Sequence, residues 1–262
     1  MRQQSFQAEE FEKYRKPTRK EIFLKEMEQI IPWKELCQVI KPYYPKPKGA
    51  GRRPIGIERM LRIHFLQHWF ALSDPAAEEA LYDSRAMRSF VGIDLGQEPV
   101  PDETTICKFR HLMERHNLGD ALFHKVNDYL AENGVKVARG TIVDATLIDA
   151  PSSTKNQDKA RDPDMHQTRK GNQWYFGMKA HIGVDSKKKL IHSVVATAAN
   201  VHNSQVLEDL LHGDETRLWG DSAYAGQKEV LQEHAPNAKD FTNKKGYRYK
   251  SLTDEQRSKN ST

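Results

Sequence analysis

At 262 residues with 37% hydrophobic side chains, the chain is long enough for one large or two small domains, and apolar residues recur along too much of it for intrinsic disorder. A net charge of +5 favours polyanionic partners without naming one, since attraction to phosphate is independent of sequence. Cys37 and Cys107 stand far apart, which excludes a C-x-x-C zinc ribbon and a disulfide framework and fits reduced cytoplasmic thiols; no run nears the roughly 20 apolar residues of a membrane span, and no apolar leader opens the chain, so no membrane partner is expected.

The first half carries helical spacing. Ile22, Met27, Ile30 and Ile31 form a stripe over Arg19–Ile31, and Pro32 suits the first position of a short second helix reaching Lys41. Lys41–Pro54, with four prolines and two glycines, predicts a loop; Lys41, Lys46, Lys48, Arg52 and Arg53 make Leu36–Ile57 basic and free of acids, a candidate phosphate-contacting arm. From Ile57 the spacing Met60, Leu61, His64, Phe65, His68, Trp69, Leu72 predicts a long amphipathic helix. Asp74 then Pro75 read as N-cap and first residue of a helix to Tyr82. Further helices are expected at Ser84–Phe90, Thr104–His116 and Leu118–Asn133, the last stopped by Gly134.

Near Val135 the period changes. Gly140–Ala150 alternates as a strand, and MKAHIGVD with LIHSVVAT around Ser186–Lys189 reads as a hairpin. A helix at Val201–His212, a strand at Arg217–Asp221 and a helix at Gln227–Glu233 follow, an α/β order in which the first and fourth strands can lie side by side. The domains expected are therefore 1–135, all-helical, and 136–262, α/β.

Asp144 lies within one of these strands and Asp221 ends another. An acid in a buried strand needs a partner, so either each pairs with a cation or backbone amide, or the two share a divalent ion, for which hard oxygens suit Mg²⁺ or Mn²⁺. Asp149 falls on the opposite face from Asp144, Asp185 shapes a turn, and Glu229 and Glu233 suit an exposed helix face. Between Lys155 and Lys179, basic residues including Arg169 and Lys170 accompany Trp174, Tyr175 and Phe176; they read either as a strand-tracking, base-stacking segment or as a loop whose aromatics join the core. Lys179 and His181 are further candidates, either for phosphate contact or for supporting the residues that bind the ligand. His64 and His68 have zinc-pair spacing but no third ligand, and the glycines of GAGRRP lack a P-loop ending, so neither zinc nor ATP is expected. Among the helices, Thr104–His116, with Lys108, Arg110 and Arg115, is the first candidate to read bases.

The runs TIVDATLIDAPSSTKN, RDPDMHQTRKGNQWYFGMKAHIGVD, VATAANVHNS and GDSAYAG, with RKEIFLKEMEQIIPW, GRRPIGIERMLRIHFLQHWFALSD and VPDETTICKFRHLMERH before them, closely resemble transposases of the insertion-sequence-five family, members of the DDE superfamily. The resemblance implies a ribonuclease-H-like catalytic domain preceded by a helical domain that binds the terminal inverted repeats of a bacterial element. It implies Asp144 and Asp221 as the first two members of the acidic triad, Mg²⁺ or Mn²⁺ as cofactor, DNA cleavage and strand transfer as activity, and a homodimer or larger assembly on DNA. The family's catalytic Glu, in a Tyr-x-x-Arg-x-x-x-Glu context, has no counterpart here, so the expectation is a chain truncated before it. The alternative is an inactive, DNA-binding remnant or inhibitor; a tyrosine recombinase built on Tyr224 lacks its arginines.

Overall fold

The change of period near Gly134 is a physical boundary: helices on one side and a sheet on the other form two units, Met1–Asn133 and Gly134–Thr262. The computed structural model describes residues 16–46, 53–135, 139–155, 159–246 and 251–260.

The described part of the first unit holds α1 (Arg19–Ile30), α2 (Trp33–Ile40), α3 (Ile57–Phe70), α4 (Asp74–Asp83), α5 (Arg85–Val91), α6 (Glu103–Arg115) and α7 (Leu118–Glu132). Thr18, Ser73, Ser84 and Asp102 cap α1, α4, α5 and α6 by accepting from backbone N–H groups two or three residues into each helix. Ser73, not Asp74, is thus the cap of α4. The Asp74 carboxylate is released to pair with Arg110 on α6 (2.9 Å) and to accept from Gln67 on α3 (2.8 Å). Arg110 holds the Asp74 carboxyl below the usual carboxylate range.

Helix α3 packs on α2, α4, α5 and α6. Its buried residues are Met60, Leu61, Ile63 and Leu66 with Arg62 and Gln67, while Phe65 and Trp69 are half-buried and His68 is exposed. The stripe expected from Ile57 to Leu72 is therefore displaced, because neighbours on several sides bury more of this helix than one amphipathic face. Arg62, 8% exposed, is satisfied throughout: it donates to the Phe90 carbonyl (2.8 Å), to Glu58 (2.8 Å) and to Glu28 (2.8 Å). Its guanidinium also lies over the rings of Trp33 (4.4 Å) and Phe90 (5.0 Å). One planar cation thereby joins α1, α2, α3 and α5.

In the second unit β1 (Gly140–Asp149), β2 (His166–Lys170), β3 (Gln173–Asp185), β4 (Ile191–Ala198), β5 (Arg217–Gly220) and β6 (Lys239–Asp240) form one sheet, ordered β2-β3-β1-β5-β6 with β4 also on β3. β1 runs antiparallel to β3 and parallel to β5, and β5 runs parallel to β6. Helices α8 (Lys228–His234) and α9 (Asp254–Asn260) complete the described elements. Val143 and Leu218 pack with Leu207, Leu210, Tyr224, Leu231 and Ala235 on one sheet face.

The helix expected at Val201–His212 is instead a pair of 3-10 turns, Asn203–Val206 and Glu208–Leu210. The apolar spacing was real, since Val206, Leu207 and Leu210 are buried. The carboxylate of Glu215, fully buried, accepts from the N–H groups of His212 (2.6 Å) and Gly213 (2.8 Å) and draws the chain toward β5 before a longer helix forms. Asp185 shapes the β3–β4 turn by accepting from Lys187 and Lys188. No helix among the described residues is long and apolar enough to cross a membrane.

Two stability predictions follow from the helical unit. Arg62→Ala removes the four-helix tie, and since Glu28 and Glu58 are half exposed the loss is about 2–3 kcal/mol, less than for a fully buried pair; Arg62→Lys, without the fork, recovers under half of it in denaturant unfolding. His64 meets His68 ring to ring (Nε2–Nε2 3.2 Å), and burial, then the charges of His68 and Arg110, push its pKa down to about 4. Because the folded value lies below the ordinary 6.5, its contribution is complete above that pH and is lost as pH falls toward 4. Thermal midpoints measured across this window should fall less steeply in His64→Phe than in the parent; equal slopes would contradict the assignment.

Candidate active site

Asp144 and Asp221 are brought together by strand register. In the parallel pairing of β1 with β5, Val143 stands beside Gly220, so the next residue on each strand is an aspartate. Gly220 is required for this approach: a Cβ there would lie 2.8 Å from Val143 Cγ2 and 3.3 Å from the Tyr224 ring. Both carboxylates open onto one cleft of about 1050 Å³, lined also by Ile142, Trp219, Phe241 and Thr242.

Both aspartates are exposed, so the desolvation cost expected of an acid in a buried strand does not arise. Asp144 sits on the face opposite buried Val143. Among the described residues neither carboxylate is in an ion pair; Asp144 Oδ1 accepts from the Ala145 N–H (2.7 Å) and Asp221 Oδ1 from the Ala223 N–H (2.9 Å). Each Oδ1 is held by a backbone N–H one or two residues further along the chain.

Three residues behind the pair define its surroundings. Lys179 is half-buried and donates to the Val201 carbonyl (2.6 Å) and to Asn203 (3.1 Å). Burial lowers its pKa and the Asp221 carboxylate acts against that shift, so its charge supports Asp221 while its ammonium is engaged by Val201 and Asn203. His181 is fully buried against Thr197 (2.9 Å), and burial with the Lys179 charge lowers its pKa; a neutral imidazole there makes no phosphate contact. Tyr224 packs in the core with its hydroxyl lacking a hydrogen-bond partner among the described residues. Burial, then Asp221 and Asp144, raise its phenol far above the ordinary range, and the enclosed hydroxyl has no open path to a phosphodiester.

The donors present suit a hard divalent ion in kind, since two carboxylates face one cleft. A third acid, Asp240, lines the cleft but is engaged by the Thr242 N–H (2.8 Å) and hydroxyl (2.7 Å). Glu229 and Glu233 are exposed on α8. Among the described residues no three of His, Cys, Asp or Glu stand close enough to hold an ion together, His64 and His68 included.

The residues expected to meet DNA divide. Lys46 is exposed after α2, while Lys48 and Arg52 lie outside the described residues. Arg53 and Lys108 line one groove of about 460 Å³ at the start of α6, together with Asp102, Thr104 and Thr105, a meeting of distant residues that spacing along the chain could not reveal. Arg110 is taken up by Asp74 and Glu114, both at 2.9 Å, and serves as a tie between helices. Arg169, Lys170 and Trp174 stand on β2 and the start of β3. Strand β2 was missed because His166–Lys170 has no apolar alternation; the two-residue Gly171-Asn172 link was its available signal.

Residues 10–112 match the family described as Transposase domain (DUF772). Residues 135–261 match the family described as Transposase DDE domain. The chain therefore carries a transposase domain followed by a transposase DDE domain, and together these support a DDE transposase acting in DNA transposition.

Proposed function

We propose that this chain is a transposase of the insertion-sequence-five type: a DNA-binding domain for terminal inverted repeats over residues 1–135, then a ribonuclease-H-like catalytic domain over 136–262. The single observation that carries the reading is the parallel β1–β5 register, which sets Asp144 beside Asp221 at the mouth of one cleft. An antiparallel β4-β3-β1 meander continued by parallel β5 and β6 supports the fold.

In this reading Asp144 and Asp221 hold Mg²⁺ or Mn²⁺, which when bound activates the attacking oxygen and stabilises the leaving one. Water attacks phosphorus at the element's end, the P–O3′ bond breaks, and a 3′-hydroxyl is freed; that hydroxyl then attacks a target phosphodiester in line, and the target's own P–O3′ bond breaks to release a target 3′-hydroxyl. With water as the nucleophile and the Tyr224 hydroxyl enclosed in the core, the reaction needs no covalent protein–DNA bond. Joining two ends at one target implies a dimer or larger assembly. A second reading, a protein that binds element ends without cutting them, is favoured by the two-carboxylate donor set among the described residues.

Strand cleavage of duplex fragments carrying the ends of the encoding element separates the two. The catalytic reading predicts Mg²⁺-dependent nicking that EDTA abolishes and that Asp144→Asn or Asp221→Asn lowers about 100-fold or more, a loss of about 2.7 kcal/mol of transition-state stabilisation, with end binding retained. Tight end binding with no nicking in Mg²⁺ or Mn²⁺ would establish the second reading instead.

A further inference from the structure

Strand β3 is 13 residues long, but β1 covers it only from Gly177 to Asp185 and β4 only from Met178 to Val184. Gln173–Tyr175 pair with β2 alone, while Phe176, buried at the ribbon's base, also accepts from the Ala150 N–H (2.8 Å) and donates to the Asp149 carboxylate (3.3 Å). His166–Phe176 is therefore a two-stranded ribbon that runs past the end of the sheet's body. Its base is fixed at Gly177, where φ is 155° and a Cβ would collide with the Ile148 carbonyl oxygen. Its tip turns at Gly171 (φ 62°), and Arg169 braces that turn by donating to the Gly171 carbonyl (3.0 Å) and to Asn172 Oδ1 (3.2 Å).

This ribbon does little for its own unit. Apart from half-buried Thr168, every residue of β2 is exposed, so the strand covers no core. Trp174 stands directly across from Arg169 and is 64% exposed, the most open of the large hydrophobic side chains described. Lys170, also exposed, is next to the turn. From Met165 to Val184 the sequence contains no acidic residue, so the ribbon itself carries cations and the indole without a carboxylate. A stiff arm with an open aromatic ring between fixed positive charges is complementary to a nucleic-acid strand, which offers phosphate and a π face in alternation.

We propose that the ribbon His166–Phe176 is a DNA arm that stacks Trp174 on an unpaired base while Lys170 and Arg169 meet the adjoining phosphates. It deepens the transposase reading, on which it rests for the choice of DNA as ligand. The full chain is titrated with a blunt duplex and with the same duplex bearing a short unpaired stretch at one end, followed by tryptophan fluorescence and by anisotropy of labelled DNA. The parent should prefer the unpaired probe. Trp174→Ala should weaken that probe about 10-fold and leave the blunt duplex unchanged, Trp174→Phe should recover most of the loss, and Lys170→Ala should lower the salt-dependence slope by about 1 on both probes.

All three side-chain changes are at exposed positions, so unchanged thermal midpoints accompany them if the arm is intact. Parent-like binding by Trp174→Ala, or an equal loss on both probes, overturns the proposal. Cleavage keeps this separate from the catalytic reading: Asp-dependent nicking with a neutral Trp174→Ala removes the arm alone, whereas lost end preference in a chain that nicks nothing removes the catalytic reading and leaves the arm.

Discussion

The parallel pairing of β1 with β5 is the constraint from which the site follows. Parallel neighbours cannot be joined by a tight turn, so the chain between Asp149 and Arg217 must leave the sheet's centre and return. It does so through β2, β3, β4 and the two 3-10 turns, and the buried residues of those turns, Val206, Leu207 and Leu210, supply the core beneath the returning strand. The pairing then leaves no freedom in where the acids go. Val143 and Gly220 are partners, so Asp144 and Asp221 emerge side by side. Gly220 has no side chain because Val143 and the Tyr224 ring already occupy that space.

Charge is handled differently in the two units. In the helical unit the buried or half-buried cations Arg62 and Arg110 are spent on carboxylates and carbonyls that tie helices together. Cations available to a partner are left at the surface, at Lys46, Arg53 and Lys108. In the sheet unit the reverse holds for acids: Glu215 and Asp185 are buried and bonded to backbone N–H groups, whereas Asp144 and Asp221 face an open cleft. Acids that build the fold are thereby distinguished from acids free to take a ligand.

Much of this was legible before any coordinates. Breakers such as Gly134, just past α7 with φ 78°, and Pro75 in the first turn of α4 act locally, and local physics is what a sequence displays most openly. The strand bearing Asp144, the hairpin and the side-by-side placement of first and fourth strands were readable from alternation and order alone. What escaped depended on distant partners. Ser73 takes the cap from Asp74 because Arg110, 36 residues on, claims the carboxylate. Lys179, open in the sequence between phosphate contact and support of the site, takes its partners Val201 and Asn203 from 22 and 24 residues on. Strand β2 is held by its hairpin partner and buries nothing, so it carries no apolar signature.

The central claim is that Asp144 and Asp221 act as one divalent-ion site although 77 residues separate them in sequence, as 221 less 144 gives. Fe²⁺ substituted for Mg²⁺ generates hydroxyl radicals that cut the backbone next to a bound ion, and mapping those cuts on the full chain tests the claim directly. Cuts both near Asp144 and near Asp221, lost together in Asp144→Asn and again in Asp221→Asn, are predicted. Cuts beside only one of them, or a pattern unchanged by either substitution, would contradict it.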